Sequence, residues 1–147
     1  MQMEEKEKLG RDRIILWLVK MMHVYSSMNF TKFTELGIHP GQIPVLSMIA
    51  EHEGISLREL ADTIHIKPPT VTVTVQRLEK NSLVCKKPDP ADQRVARIYL
   101  TEKGEKIKQE IKGLFEENER ILTTGFSEAE LNQLRDYLKR MIDNMKN

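Results

Sequence analysis

The stretch Ser56–Thr101 reads SLRELADTIHIKPPTVTVTVQRLEKNSLVCKKPDPADQRVARIYLT. It divides into a short helical segment, a turn, a second helical segment and two strand-like runs separated by turn-forming residues. This order of elements predicts a winged helix-turn-helix, in which a helix and a nearby hairpin are presented together. The predicted fold class is therefore mainly α with a small β-hairpin wing.

The first helix of this stretch is predicted to begin after Ser56. Ser56 and Glu59 have the spacing of a capping box, in which each side chain binds a backbone N–H of the other residue. Apolar residues then recur at helical spacing and predict a buried stripe, formed by Leu57, Leu60, Ala61 and Ile64.

The second helix is predicted to begin near Pro69 and to run to about Asn81, because proline is tolerated in a first helical turn and disfavours helix before it. On a helical wheel, one face is apolar: Val71, Val75 and Leu78. The opposite face suits base edges and phosphates, with Thr72 on its flank: Pro69, Thr70, Val73, Gln76 and Arg77. We therefore expect this helix to contact DNA. The alternative is a solvated amphipathic helix, a role for which threonine, valine and proline are poor choices.

The wing is predicted from the runs Leu83–Lys87 and Val95–Leu100, which flank the turn formers of residues 88–94. A two-stranded hairpin is marginally stable alone, so it is expected to pack on the helices. Arg94 stands at the tip, and Asp92 is expected to orient its guanidinium towards a narrow minor groove. The other basic side chains of the wing are expected to lie near phosphates or to stay solvated: Lys86, Lys87 and Arg97.

Together these segments resemble the MarR family of transcriptional regulators. The resemblance rests on SLRELADTIHIKPPTVTVTVQRLEK, on the wing DPADQRVARIYLT and on the EKG that follows. The D-x-R pattern falls on Asp92 and Arg94, and the L-T-x-x-G junction on Leu100, Thr101 and Gly104. The resemblance implies an obligate dimer with two winged lobes on a pseudo-palindromic operator. In many members a small phenolic, lipophilic or oxidising effector relieves the binding.

Two positions depart from the family pattern. Relatives usually have a glycine after the recognition helix, where this chain has Asn81-Ser82, and we expect Asn81 to take the left-handed conformation that ends the helix. A basic or polar residue is common at the position of Val73. Valine contacts a thymine methyl but forms no hydrogen bond, so the operator sequence is not transferable from relatives.

Long amphipathic helices are predicted at both ends of the chain. One runs from Arg11 to about Leu36, another from the N-cap Thr101 to about Leu122, and the last begins at a capping box of Ser127 and Glu130. A shorter helix, from about Gly41 to Glu53, precedes the winged segment. The apolar faces of the end helices would be poorly covered in a monomer, which predicts pairing across a two-fold axis. We therefore expect a single MarR-like domain over residues 1–147, with dimerisation helices at 11–36 and 104–147 and a DNA-binding lobe at 40–103.

The charge is unevenly distributed along the chain. The 147 residues have a net charge of only +1, but residues 56–103 hold nine Lys and Arg against six Asp and Glu. The length fits one domain with its own core. One cysteine fits a reducing compartment, and no apolar run approaches the roughly 20 residues that span a bilayer, so a cytoplasmic protein is expected.

No cofactor or metal is predicted, because the four histidines are widely spread and lack metal-ligand spacing. Cys85 is interpreted as a small hydrophobe on a half-buried strand, with a redox switch as the alternative. The resemblance implies an effector pocket where the dimer helices meet the winged lobe. The candidates there, for which plain core packing is the alternative, are Trp17, Met21, His23, Tyr25 and His39.

The predicted function is a dimeric, sequence-specific DNA-binding transcriptional regulator, most simply a repressor released by a small apolar or phenolic effector. Its expected partners are double-stranded DNA and a second copy of the chain, and not a membrane. Two alternatives stay open: a non-specific architectural DNA binder with little sequence preference, and a winged-helix module that binds a protein instead of DNA. The sequence shows no nucleophile–base pair, Gly-rich phosphate loop or suitably spaced carboxylate pair, so an enzyme is not expected.

Overall fold

The computed structural model describes residues 12–146 of the chain. The chain divides into two compact units, residues 1–105 and residues 106–147. The predicted start of the first helix at Arg11, and the residues before it, lie outside the described residues.

The first unit contains the winged segment and the helices that precede it. Its elements in chain order are α1 (Ile14–Leu36), a 3-10 turn (Pro40–Gln42), α2 (Ile43–Glu51), β1 (Ile55–Ser56), α3 (Leu57–Ile64), α4 (Pro68–Lys80), β2 (Val84–Pro88) and β3 (Ala96–Leu100). The three strands form one antiparallel sheet in the order β1–β3–β2. The predicted class, mainly α with a small β wing, is confirmed.

The core of the first unit lies among α2, α3, α4 and the sheet. Each of these elements contributes side chains that are at most 2% exposed, including Leu46, Ile49, Leu60, Val84 and Ile98. Burying an aliphatic side chain of this size stabilises a fold by roughly 1.5–3 kcal/mol. The two helices of the helix-turn-helix are therefore held by a shared apolar core.

The predicted capping box at the start of α3 is confirmed. The Ser56 hydroxyl accepts a hydrogen bond from the Glu59 N–H at 3.2 Å, and the Ser56 N–H donates to Oε2 of Glu59 at 2.8 Å. At the other end of α3, His65 takes a left-handed conformation with φ of 52°. That conformation ends the helix and redirects the chain through Lys67 into α4, where Pro68 and Pro69 occupy the first helical turn.

The end of α4 corrects a prediction made from the sequence. Asn81 does not take the left-handed conformation, since its φ is −83°, whereas Ser82 has a φ of 60°. The Ser82 N–H donates to the Glu79 carbonyl at 2.9 Å and the Leu83 N–H to the Leu78 carbonyl at 2.9 Å. These two bonds form a Schellman motif, whose left-handed residue is the second one beyond the helix. Because α4 ends at Lys80 and not at Asn81, that residue is Ser82.

The predicted two-stranded hairpin is also corrected, because the wing is part of a three-stranded sheet. Ile55 and Ser56 pair with Ile98 and Arg97 of β3, and β3 pairs on its other side with β2. Strand β2 lies one residue later than predicted, at Val84–Pro88, and β3 begins one residue later but ends at Leu100 as predicted. The added strand ties the wing to the residues immediately before α3.

Helix α2 is shorter than the predicted Gly41–Glu53. A 3-10 turn occupies Pro40–Gln42 at its start, and the helix ends at Glu51. The chain then turns at Gly54, which has a φ of 84° and donates its N–H to the Ile98 carbonyl at 2.8 Å. The last predicted helical turn is replaced by this connection to the sheet.

The second unit contains most of α5 (Glu102–Leu122), which begins in the first unit, and all of α6 (Glu128–Lys146). Thr101 caps α5 as predicted, since its hydroxyl accepts from the Gly104 N–H at 2.9 Å. The capping box at the start of α6 is confirmed by bonds of 2.7 and 3.3 Å between Ser127 and Glu130. No residue of α6 is buried in the described chain.

Helix α1 exposes large apolar side chains on nearly all of its surface. The sequence predicts an amphipathic helix, whereas ten large apolar residues of α1 are at least 39% exposed in the described chain: Ile14, Ile15, Leu16, Trp17, Val19, Met21, Met22, Val24, Met28 and Phe30. A helix that is apolar all round is typically buried. Among residues 12–146, no helix combines the length and apolar character that crossing a membrane requires.

Candidate nucleic-acid interface

Helix α4 has the two faces that its sequence predicts. Val71, Val75 and Leu78 are fully buried, which anchors the helix in the core of the first unit. The predicted contact residues lie on the outer face and are exposed: Pro69, Thr70, Val73, Gln76 and Arg77. Thr72 is half-buried on the flank, as expected. The helix therefore presents hydroxyl, methyl, amide and guanidinium groups on one accessible surface.

The threonine hydroxyls of α4 are partly engaged by the helix itself. Thr72 donates its hydroxyl proton to the Pro68 carbonyl at 3.0 Å, and Thr74 donates to the Thr70 carbonyl at 2.9 Å. Thr72 in this arrangement offers its oxygen as an acceptor and its methyl as an apolar contact. An acceptor suits the exocyclic amino group of adenine or cytosine, and a methyl suits thymine.

The loop at the tip of the wing is organised by Asp89. Its Oδ1 accepts from the backbone N–H of Ala91 at 2.7 Å and of Asp92 at 3.1 Å. The Asp89 N–H donates to the Val95 carbonyl at 2.8 Å, which closes the loop. An aspartate that binds backbone groups two and three residues later stabilises a turn. This role of Asp89 was not predicted from the sequence, although an aspartate between two prolines in a turn is a signal for it.

Asp92 holds Arg94 as predicted. Its Oδ1 accepts from the Arg94 Nε at 3.0 Å and its Oδ2 from the Arg94 Nη2 at 3.0 Å, while Oδ1 also accepts the Arg94 backbone N–H at 3.1 Å. The Arg94 side chain remains 90% exposed. The guanidinium lowers the pKa of Asp92 below its ordinary value, because it donates hydrogen bonds to the charged carboxylate. Arg94 is thus oriented at the tip and still accessible.

The other basic residues of the wing have protein partners. Lys86 lies 3.9 Å from the Glu79 carboxylate of α4, and the Lys87 ammonium lies 5.1 Å from the centre of the Tyr99 ring. Arg97 donates to Asp89 at 2.7 Å and to Glu59 at 3.0 Å. Their contact with phosphate stays a prediction, and Arg97 is the most fully engaged of the three.

The five effector candidates are not brought together around a cavity of the first unit. Trp17, Met21 and His23 are exposed on α1, Tyr25 is half-buried there, and the His39 Nδ1 accepts from the Gly41 N–H at 3.0 Å at the start of the 3-10 turn. An open cleft of about 550 Å³ lies elsewhere, between the end of α2, α3 and the sheet, and it is lined by His52, Glu53, Gly54, Ile55, Glu59, Thr63 and Arg97. The effector assignment stays a prediction.

No metal-binding cluster of His, Cys, Asp or Glu side chains occurs among residues 12–146. Cys85 is half-buried on β2, where it is paired with Tyr99 of β3.

Comparison with known proteins gives matches to transcriptional regulators. The profile of the MarR family matches residues 38–96. The chain is 31% identical over 112 residues to the HTH-type transcriptional regulator YsmB of Bacillus subtilis, across 76% of this chain and 77% of that protein. The crystal structure of the transcriptional regulator SlyA matches with a TM-score of 0.77 and 30% identity, over 90% of this chain and 94% of that one. A point mutant of S. aureus MepR bound to an oligodeoxyribonucleotide matches with a TM-score of 0.62 and 26% identity, over 91% and 99% of the two chains.

Proposed function

Because the chain belongs to the MarR family of DNA-binding transcriptional regulators, we propose that it is a dimeric, operator-specific repressor. The proposal rests mainly on one observation: the outer face of α4 and the Asp92-held Arg94 are exposed on the same compact unit. A helix for the major groove and an arginine for the adjacent minor groove are the two elements that a winged DNA-binding domain needs. The similar MepR mutant bound to an oligodeoxyribonucleotide supports the same use of this fold.

Charge supports DNA as the partner of the winged segment. Residues 56–103 contain nine Lys and Arg against six Asp and Glu. A dimer presents this surplus twice, and each phosphate that it neutralises releases counterions. We therefore expect affinity to fall as salt is raised. Since the target is chromosomal DNA, the proposal places the protein in the cytoplasm.

The dimer is supported by the apolar surface of α1. A monomer in water rarely keeps contiguous apolar patches larger than a few hundred Å² exposed, yet Trp17 is 56%, Met22 65% and Phe30 70% exposed. In α6, Ile142 and Met145 are 51% and 86% exposed. In the proposed dimer a second copy of the chain covers each of these sets, and two recognition helices read two half-sites of one operator. The proposed dimer therefore uses residues 11–36 and 104–147, with residues 40–103 as the DNA-binding lobe.

Repression and its release complete the proposal. A dimer bound across promoter DNA excludes other proteins from that DNA, so occupancy lowers transcription. An apolar or phenolic small molecule that prefers the DNA-free dimer shifts the equilibrium by its differential affinity for the two states. Trp17, Met21, His23, Tyr25 and His39 stay the residues proposed for that effector.

The test of the proposal is fluorescence anisotropy on DNA from upstream of the protein's own gene and on a scrambled duplex, at low and at physiological salt. Operator-specific binding predicts affinity at least about 1000-fold tighter for the first duplex. Equal affinity for both duplexes, lost as salt is raised, would establish the architectural alternative. Absence of binding to either duplex at low salt would point to a protein-interaction module.

Arg94→Ala is expected to weaken operator binding by about 1–3 kcal/mol while leaving the thermal stability of the protein unchanged. Stability should not change because the Arg94 side chain is 90% exposed and, among residues 12–146, hydrogen-bonds to Asp92 alone. Titration of the operator duplex with the variant measures the loss. Arg58→Ala, which removes an exposed basic charge from α3 at a position with no proposed DNA contact, is the matched control and should bind like the parent. Parent-like affinity of Arg94→Ala would show that the wing does not contact DNA.

A further inference from the structure

A continuous series of polar contacts joins helix α3 to the tip of the wing. It begins at Glu59, whose Oε2 accepts from the Arg97 Nη1 at 3.0 Å, and continues from the Arg97 Nε to Asp89 Oδ2 at 2.7 Å. The other oxygen of Asp89 accepts the Asp92 N–H at 3.1 Å, and Asp92 holds Arg94 through both of its carboxylate oxygens. Each link is within ordinary hydrogen-bond distance.

Arg97 is the central member of this series. It lies on β3 opposite Ser56 of β1 and Lys87 of β2. Besides the two carboxylates, its Nη1 donates to the Gly54 carbonyl at 3.3 Å. The Arg97 side chain is 31% exposed and its partner Asp89 only 14%, in contrast to Arg94 at 90%. These three acceptors engage the donors of Nε and Nη1, three of the five N–H groups of the guanidinium, and so fix its orientation.

The ionisation of the carboxylates agrees with this geometry. The Arg97 hydrogen bond lowers the pKa of Asp89 below its ordinary value, as do the N–H groups of Ala91 and Asp92. The pKa of Glu59 is also lowered, first by the Ser56 N–H of the capping box and further by Arg97. Both partners of Arg97 are therefore ionised at neutral pH, and the three side chains form a stable charged cluster.

We propose that Arg97 is a positioning residue, which fixes the wing to the N-terminus of α3 through Glu59 and Asp89 and thereby aims Arg94, and that Arg97 does not itself contact DNA. The wing and the helix-turn-helix also share an apolar core and the β1–β3 pairing of two residues, and the Arg97 cluster adds a polar link that reaches the loop of Asp89. With Arg97 in place, the loop that supports Arg94 is tied to α3, the helix that packs against α4. This proposal rests on the proposed operator binding.

The proposal predicts an effect opposite to that of simple electrostatics. Asp89→Asn removes a negative charge from the DNA-binding lobe, so charge alone would tighten binding to phosphate. Loss of the ion pair between Asp89 and Arg97 should instead weaken operator binding by about tenfold. That is a typical coupling for residues of one ion-pair network. Arg97→Gln should give a similar loss, and the double variant should bind no more weakly than either single variant.

The matched control is Asp62→Asn, which removes one carboxylate from the exposed surface of α3. It should bind as the parent does, or slightly more tightly. The dependence of log Kd on log salt separates positioning from contact. A lost phosphate contact reduces that slope by about one, whereas a positioning residue leaves it unchanged. The proposal is overturned if Arg97→Gln lowers the salt slope by about one. It is also overturned if Asp89→Asn binds the operator with the affinity of the parent.

A second readout separates aiming of the wing from a general loss of stability. Arg94→Ala should cost about tenfold less in the Asp89→Asn background than in the parent, because the wing tip is no longer held in place. A stability change alone would leave that cost equal in both backgrounds, which would contradict the proposal. If the parent shows no operator preference, the proposed function has failed and not the positioning role. If Arg94→Ala costs nothing in a parent that does bind its operator, the wing does not contact DNA and the positioning role is overturned.

Discussion

The double variant Ile15→Glu with Met22→Glu is expected to sediment as a monomer at micromolar concentration and to bind the operator at least about 100-fold more weakly than the parent. The two positions are seven residues apart and lie on one face of α1, where Ile15 is 58% and Met22 65% exposed. A glutamate there should change the folding stability of the isolated chain little, since the side chain stays in water. In a dimer it would be buried without a partner, at a cost of several kcal/mol per charge.

The loss of DNA affinity follows from the loss of one lobe. When two linked lobes engage two half-sites, the second contact is intramolecular and raises the overall affinity by a factor of roughly 10²–10⁴. A folded monomer keeps its α4 and its wing, so its residual binding should resemble that of one half-site. The control is Ile15→Leu with Met22→Leu, which keeps the surface apolar and should remain dimeric. A glutamate variant that sediments as a dimer and binds like the parent would show that this face of α1 is not the interface.

Gly104→Ala is expected to lower the free energy of unfolding by about 3 kcal/mol, the upper end of the usual cost of overpacking. A Cβ at this position would overlap the Leu83 carbonyl oxygen and lie 3.4 Å from a methyl of Leu100. The Leu83 carbonyl does not move away easily, because it accepts the Thr101 N–H at 3.1 Å. Here glycine is needed for the close approach of the start of α5 to the chain between α4 and β2. Denaturant-induced unfolding followed by circular dichroism measures the change.

Gly113→Ala is the matched control within the same helix. An alanine Cβ at residue 113 would meet nothing within 4 Å. Because alanine favours helix over glycine, this variant should be more stable by about 0.5–1 kcal/mol. Opposite signs for the two substitutions separate steric overlap from helix propensity. Equal, stabilising effects would mean that α5 does not begin against the Leu83 carbonyl.

The features predicted correctly from the sequence are those that depend on spacing along a few residues. The capping boxes at Ser56 and Ser127, the N-cap at Thr101 and the two faces of α4 each follow from local hydrogen bonding or helical period. The hold of Asp92 on Arg94, two residues apart, belongs to the same class.

The features that the sequence did not predict involve distant residues or small differences in backbone geometry. Pairing of Ile55 with Ile98, and the contact of Arg97 with Glu59, join positions about 40 residues apart. The left-handed residue after α4 is Ser82 and not Asn81, a shift of one residue that depends on where the helix ends. The function of the outer face of α4 and of the wing was inferred from the family resemblance together with side-chain chemistry.

The run of β-branched residues in α4 has a consequence for how its target sequence changes over evolution. Residues 71–75 read Val-Thr-Val-Thr-Val, and in a helix valine is largely restricted to one side-chain rotamer, while the hydroxyls of Thr72 and Thr74 are tied to the backbone. The part of the surface formed by Thr72 and Val73 is therefore rigid before any duplex arrives, so little side-chain entropy is lost there on docking. The same rigidity leaves few ways to accommodate a mismatched base at these two residues by rotating a side chain. A lineage that drifts to a new operator must therefore replace residues in this helix, whereas flexible recognition surfaces tolerate such drift without mutation.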